Sequence, residues 1–224
     1  MRHLTKALAL SIMTLAALPA DAARLYGTFD VEIRNFDAGG SYNNARANEA
    51  IEAANEIDDI ATYTGYIDFG IRGPQRAEFS IADFFATGTG SVNGLDETVG
   101  DLQLSFPTFR TTTLLTFTAD FDEEFRFDVT HDDGFSVFDD GVLATAFANP
   151  TGVRTTSNGA FDGGEFKLIY SAANGNPSVL NVTGGDDLPA AVVPLPASAL
   201  LLLCLLYTSP SPRDLSTSRM PSSA

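Results

Sequence analysis

Residues 125 to 141 read Phe-Arg-Phe-Asp-Val-Thr-His-Asp-Asp-Gly-Phe-Ser-Val-Phe-Asp-Asp-Gly. Phe125, Phe127 and Val129 alternate with Arg126, Asp128 and Thr130, the period of two that sends apolar side chains to one face of a sheet and polar ones to the other. His131-Asp132-Asp133-Gly134 interrupts the alternation. It resumes with Phe135 and Val137 and stops at Asp139-Asp140-Gly141, where Asp-Gly accepts the positive φ of a tight hairpin. The spacing predicts two strands with a pair of adjacent carboxylates on the loop between them.

The same alternation predicts strands over 25–33, 62–69, 112–119, 142–147, 166–170 and 179–182. One stretch changes period. Ala47, Ile51, Ala54 and Ile57 recur every three or four residues with Asn and Glu between them, which predicts one amphipathic helix over 43–59. Residues 81–85 form a short apolar patch, and Gly88, Gly90, Gly94 and Gly100 mark a flexible connection after it. Residues 148–164 read as a polar loop. Residues 172–177, Ala-Ala-Asn-Gly-Asn-Pro, form a turn-rich loop whose side-chain oxygens, on Asn174 and Asn176, can emerge at the same end of an antiparallel sheet as Asp132 and Asp133.

Composition agrees with an all-β fold carrying one short helix near the N-terminus. Seventeen Phe, six Tyr, nineteen Gly and eleven Pro suit strands and turns. Charge narrows the partners: between residues 23 and 203, 9 basic residues stand against 27 acidic ones, a net charge of −18. Such a surface repels phosphate backbones and anionic lipid, which argues against nucleic acid as a partner. No glycine has the strand-before, helix-after setting of a phosphate-binding loop.

The ends read as processing segments. Arg2, His3 and Lys6, the apolar run 7–18 and Ala20-Asp21-Ala22 have the layout of a cleavable secretory signal over 1–22. The domain expected is 23–185. The one thiol, Cys204, lies outside it, so neither a disulfide framework nor a thiolate metal site belongs to the folded part.

The chemistry available is that of oxygen ligands. Beyond the signal His131 is the one histidine, which excludes multi-histidine zinc sites. Its acidic neighbours are expected to raise its affinity for a proton, on a solvated loop. The EF-hand calcium pattern fails, because Asp133 stands where its glycine must be. Adjacent carboxylates on a loop between strands suit a hard cation such as calcium. Asp-Asp-Gly equally suits a solvated turn. Enzymatic activity is not expected, although a glycoside hydrolase would need only two facing carboxylates.

Phe127-x-Val129-x-x-Asp132-Asp133-Gly134-Phe135-x-Val137-x-x-Asp140-Gly141, then Gly164-x-Phe166-x-Leu168-x-Tyr170 and Leu180-x-Val182, resembles the core of the domain first named in the protective antigen, the PA-fourteen domain. The resemblance covers about 25–183. It implies an antiparallel β-sandwich or jelly-roll-like barrel, and many members bind glycans. In the lectin branch an Asp-Asp pair joined by a cis peptide holds a calcium ion that coordinates sugar hydroxyls; carried over, the metal ligands are Asp132 and Asp133. That branch has an Asn two residues after the tyrosine of the later strand. Here the position is Ala172, so Asn174 or Asn176 would take its place.

A second resemblance lies at 193–203. Val193-Pro194-Leu195-Pro196-Ala197-Ser198 and the leucines after it resemble the start of the sorting tail of exported Gram-negative proteins, the PEP-CTERM kind, with 186–196 as linker. It implies a sorting protease and a transient inner-membrane contact as partners. The apolar segment 197–206 is too short to span a bilayer, and 207–224 resembles translated adapter sequence. The expectation is an exported cell-surface or extracellular module that binds a glycan or exopolysaccharide with calcium. The alternative is a structural or matrix protein in which Asp-Asp-Gly only turns the chain.

Overall fold

The computed structural model describes residues 23–184; the signal segment, linker, apolar segment and tail lie outside the described residues. Strands dominate. They are β1 (Ala23–Arg24), β2 (Tyr26–Asp37), β3 (Asp59–Tyr66), β4 (Asp68–Ile71), β5 (Ser91–Asn93) and β6 (Thr111–Phe121), followed by β7 (Phe125–Asp132), β8 (Gly134–Asp139), β9 (Val142–Phe147), β10 (Arg154–Phe161), β11 (Gly164–Ala172) and β12 (Ser178–Gly184). One sheet has the order β5-β3-β2-β6-β11-β8-β9; the other has β1-β12-β7-β10, with β4 also paired to β12. Every strand pairing is antiparallel.

The period-two pattern builds the core between the sheets. Phe29, Val31 and Ile33 on β2, Leu115 and Phe117 on β6, and Phe166, Leu168 and Tyr170 on β11 point inward from the larger sheet. Phe125, Phe127, Val129, Leu180 and Val182 meet them from the smaller one. Phenylalanines fill the space by edge and tilted contacts, such as Phe125 on Phe161 at 4.8 Å.

The helices differ from the sequence expectation. Instead of one helix over 43–59 there is a 3-10 turn, Tyr42–Ala45, and a six-residue α1, Glu49–Ala54, capped at its start by Asn48. Ala54 is exposed, as are Ile57 and Ile60 at 43 % and 57 %, whereas Glu52 is buried. The surface under α1, the outer face of the larger sheet, is mixed: Ala47 and Ile51 pack on Leu114, Phe138 and Ile169, and a polar patch lies beside them. There Glu52 accepts from Lys167 Nζ at 2.7 Å and Thr116 Oγ1 at 2.7 Å. The apolar patch at 81–85 is the helix α2 (Ile81–Ala86), started by a reciprocal capping box between Ser80 and Asp83. The glycine-rich connection contains β5 and the short helix α3 (Glu97–Gly100).

Three connections cross between the sheets at one end of the molecule. They run from β7 to β8 at residue 133, from β9 to β10 through 148–153, and from β11 to β12 through 173–177. The polar stretch 148–164 thus contains β10, an edge strand whose side chains are mostly exposed. Three crossovers at one rim give the fold a place where residues distant in sequence converge.

Candidate functional site

Asp132 ends β7 opposite Val179 of β12, and Gly134 opens β8 opposite Ser171 of β11. Asp133 is therefore the residue at which the chain leaves one sheet for the other. Glycine at 134 is a steric requirement, since a Cβ there would run into the Ala148 carbonyl. The Asp132–Asp133 and Asn176–Pro177 peptide bonds are both cis.

The pair is not a solvated turn. Asp132 is 4 % exposed and Asp133 3 %. Asp133 Oδ1 accepts from the Thr151 amide at 3.1 Å and Oδ2 from the Ala173 amide at 2.7 Å, so one carboxylate joins all three crossovers. The Asp132 main-chain carbonyl accepts from the hydroxyl of Tyr170, a fully buried ring stacked on Phe84 at 5.6 Å.

The electrostatics follow from this burial. Desolvation pushes the Asp132 carboxyl up to about 7 against the pull of the Val153 amide. Asp133 rises well above the carboxylate range, first through burial and then through the charge of Asp132, with the Ala173 and Thr151 amides opposing. Burial likewise raises the Tyr170 hydroxyl, with the charges of Asp133 and Asp132 adding to it. His131 departs from the expectation. It is fully buried, and desolvation, its largest influence, lowers its affinity for a proton. The neutral ring donates from Nδ1 to the Asp133 carbonyl at 2.6 Å and accepts at Nε2 from Thr156 at 3.0 Å, an orienting role.

Asp132 and Asp133 open on a cavity of about 400 Å³ together with Pro150, Thr151 and Gly152 of the second crossover and Ala173 to Pro177 of the third; Tyr42, Gln75 and Phe109 complete its wall. The two loops that the sequence placed at one end do meet there. Asn176 gives its Nδ2 to the carbonyls of Pro74 at 3.2 Å and Ala77 at 2.8 Å, leaving its amide oxygen with open lone pairs. Asn174 is partly committed, because its Oδ1 accepts from the Thr108 amide at 3.0 Å. Ala172, at the position where the resemblance calls for an Asn, is buried. Sequence reasoning missed Thr151, Tyr42, Gln75 and Phe109. They reach the cavity through tertiary packing, and no local pattern marks them.

The donor set fits a hard divalent cation. It is made of oxygens, none of the described residues lining the cavity is basic, and two buried carboxylates lack the opposite charge that burial ordinarily demands. Among the described residues no three His, Cys, Asp or Glu side chains converge on one point. The six to eight ligands that calcium takes would then include main-chain carbonyls, amide oxygens and exogenous hydroxyls.

No family model matches the chain, and no curated protein matches it. Two solved structures do. A PA14 sugar-binding domain from an RTX adhesin is 18 % identical, with 72 % of this chain and 89 % of that one covered and a TM-score of 0.49. The PA14 domain of the antifreeze protein MpAFP is 16 % identical, with 75 % and 85 % covered and a TM-score of 0.42.

Proposed function

We propose that this chain is an exported binding module that recognises carbohydrate through a calcium ion held by Asp132 and Asp133, with the Asn176 oxygen and the second lone pair of Asn174 Oδ1 as further ligands. The observation that carries the reading is the convergence of two desolvated carboxylates, unpaired with any base among the described residues, and the loop 173–177 on one oxygen-lined cavity. Bound there, calcium would offset the buried negative charge and present coordination positions to vicinal hydroxyls of a sugar, a class of ligand that an uncompensated acid pair repels little and a cation orders strongly. The chain's own part is to hold the oxygens in place and exclude water from behind them, through Tyr170, Thr151 and Ala173. Display at a cell surface or in the extracellular space, on an exopolysaccharide or other glycan, is part of the same proposal.

A second reading has its own observation. Both oxygens of Asp133 already accept backbone amides, as they would if Asp-Asp-Gly served only to tie three crossovers together in a structural or matrix protein. A glycan array probed with the full chain, with and without chelator, separates the two. Recognition expects glycan signals that vanish on chelation; an array with no chelator-sensitive signal favours the structural role.

A further inference from the structure

The larger sheet ends on one side in β9, and among the described residues no strand pairs with its outer edge. Such an edge presents main-chain N–H and C=O groups that can template another strand. Its side chains add apolar surface. Val142 and Leu143 are exposed at 70 % and 57 %, and Ala144 and Ala146 beside them face water as well. The other described edges are short, as in β1, β4 and β5, or polar, as in β10, where Arg154, Thr155, Ser157 and Asn158 are exposed. Edges are ordinarily blunted by lysine, proline or bulges. β9 holds neither lysine nor proline, and its one irregularity is a register shift opposite Val137 and Phe138.

Charge decides what can lie against this edge. With 29 acidic and 13 basic residues in the sequence, two copies of the chain repel each other over most of their surface. Residues 141–153 carry no charge, and β9 lies within them. The two ends of the strand are oppositely marked. Just before it the hairpin carries Asp139 and the exposed Asp140. Just after it the Arg154 guanidinium lies 4.1 Å over the Phe147 ring, and among the described residues this exposed arginine is in none of the ion pairs. Antiparallel pairing of β9 with a second β9 sets the Asp140 end of each strand against the Arg154 end of the other.

We propose that β9 is the surface through which two copies of this chain associate, edge to edge and antiparallel, so that their seven-stranded sheets continue as one. The two-fold axis passes by Ala144 and Thr145 in the middle of the strand, which sets Val142 of each copy beside Phe147 of the other. The same patch serves both copies, so association closes at two. β9 runs towards the crossover rim, into the connection 148–153. Antiparallel pairing therefore puts the two cavities of Asp132 and Asp133 at opposite ends of the pair, an arrangement that bridges two ligands. The pairing itself does not depend on what those cavities hold.

The test is sedimentation velocity of the full chain in chelator, over about 1–100 µM. The wild type is expected to pass from one copy to two over this range and no further. Ala144→Glu and Ala144→Lys each set like charges against each other at the axis, and each should weaken association roughly tenfold or more. Arg154→Glu should weaken it as well. An equimolar mixture of the Glu and Lys variants should pair again as the wild type does, because opposite charges then meet; this recovery also shows that both variants are folded. Association carried by the apolar segment 197–206 would instead persist in every variant. A wild type that stays single, one that grows beyond two copies, variants that pair as the wild type does, or a mixture that recovers nothing overturns the proposal.

Discussion

Asp133 Oδ2 accepts the Ala173 amide at 2.7 Å, a bond between residues 40 apart in sequence that makes the acid loop and the loop after β11 one body. Replacing Asp133 by Ala strands the buried Ala173 amide and the part-buried Thr151 amide. The buried donor costs about 1–3 kcal/mol and the part-buried one, within reach of water, less. Urea unfolding of Asp133→Ala should show a lower midpoint at unchanged slope, with faster hydrogen exchange at Ala173. An unchanged midpoint would mean that the carboxylate does not hold these loops.

Metal-free stability should carry the signature of Asp132. Its carboxyl rises from 3.8 to about 7 on folding, so the folded chain holds the proton more tightly than the unfolded one. The stabilisation this supplies is complete below about pH 4 and is lost as pH rises through 7. Comparison with Asp132→Asn in chelator cancels the groups that Asp132 does not touch and leaves Asp132 together with the part of the Asp133 and Tyr170 shifts that its charge causes. The wild type should lose stability relative to the variant between pH 4 and 7, as read from thermal midpoints; parallel curves would contradict the burial of a carboxylate without a counter-charge.

Glu52 joins α1 to the outer face of the larger sheet. Its oxygens take Lys167 Nζ and Thr116 Oγ1, and Arg34 Nη1 approaches at 3.8 Å, over a hollow of about 580 Å³ also lined by Asp30, Glu32 and Glu165. Glu52→Ala removes one partner, but Lys167 is part-buried and keeps Glu49 at 3.8 Å and Arg34 keeps Glu32 at 2.8 Å, so the cost falls below the roughly 3–5 kcal/mol of stripping a fully buried pair. The cavity of Asp132 and Asp133 lies at the crossover end, so Glu52→Ala should lower the unfolding midpoint and leave calcium uptake by the chain as in the wild type.

Gly175, at φ +83, sits where a Cβ would strike the Gln75 carbonyl. Gly175→Ala is expected to displace the loop that carries Asn174 and Asn176. Overpacking of this kind costs about 1–3 kcal/mol. Calcium affinity should drop with stability, and a variant that keeps both would show that the loop adapts freely.

The strands were legible because one face of each is buried: Phe125, Phe127 and Val129 announce β7, and Phe166, Leu168 and Tyr170 announce β11. The same rule hid β10, whose edge position leaves most of its side chains in water. The apolar spacing over 43–59 is right where Ala47 and Ile51 meet Leu114, Phe138 and Ile169, and fails beyond Ala54, where the helix ends and Ile57 is exposed; the same face also buries Glu52 in a polar patch that apolar spacing does not announce. For α2 a signal was present, Ser80 three residues before Asp83. At the site, Asp132, Asp133, Asn174 and Asn176 were legible as oxygen-bearing turn residues, and the meeting of their loops followed from antiparallel order. Burial of His131, and the arrival of Thr151, Tyr42 and Phe109 from separate connections, depend on how the two sheets are joined, which no local pattern encodes.

The most direct measurement is isothermal titration of calcium chloride into the chelator-stripped full chain, beside Asp132→Ala and Asp133→Ala. One calcium per chain is expected for the wild type, with proton release below about pH 7 as the carboxyl of Asp132 gives up its proton, and no uptake for either variant. A wild-type chain that shows no calcium heat, or variants that bind as the wild type does, would contradict the assignment of this cavity to a metal-assisted sugar site.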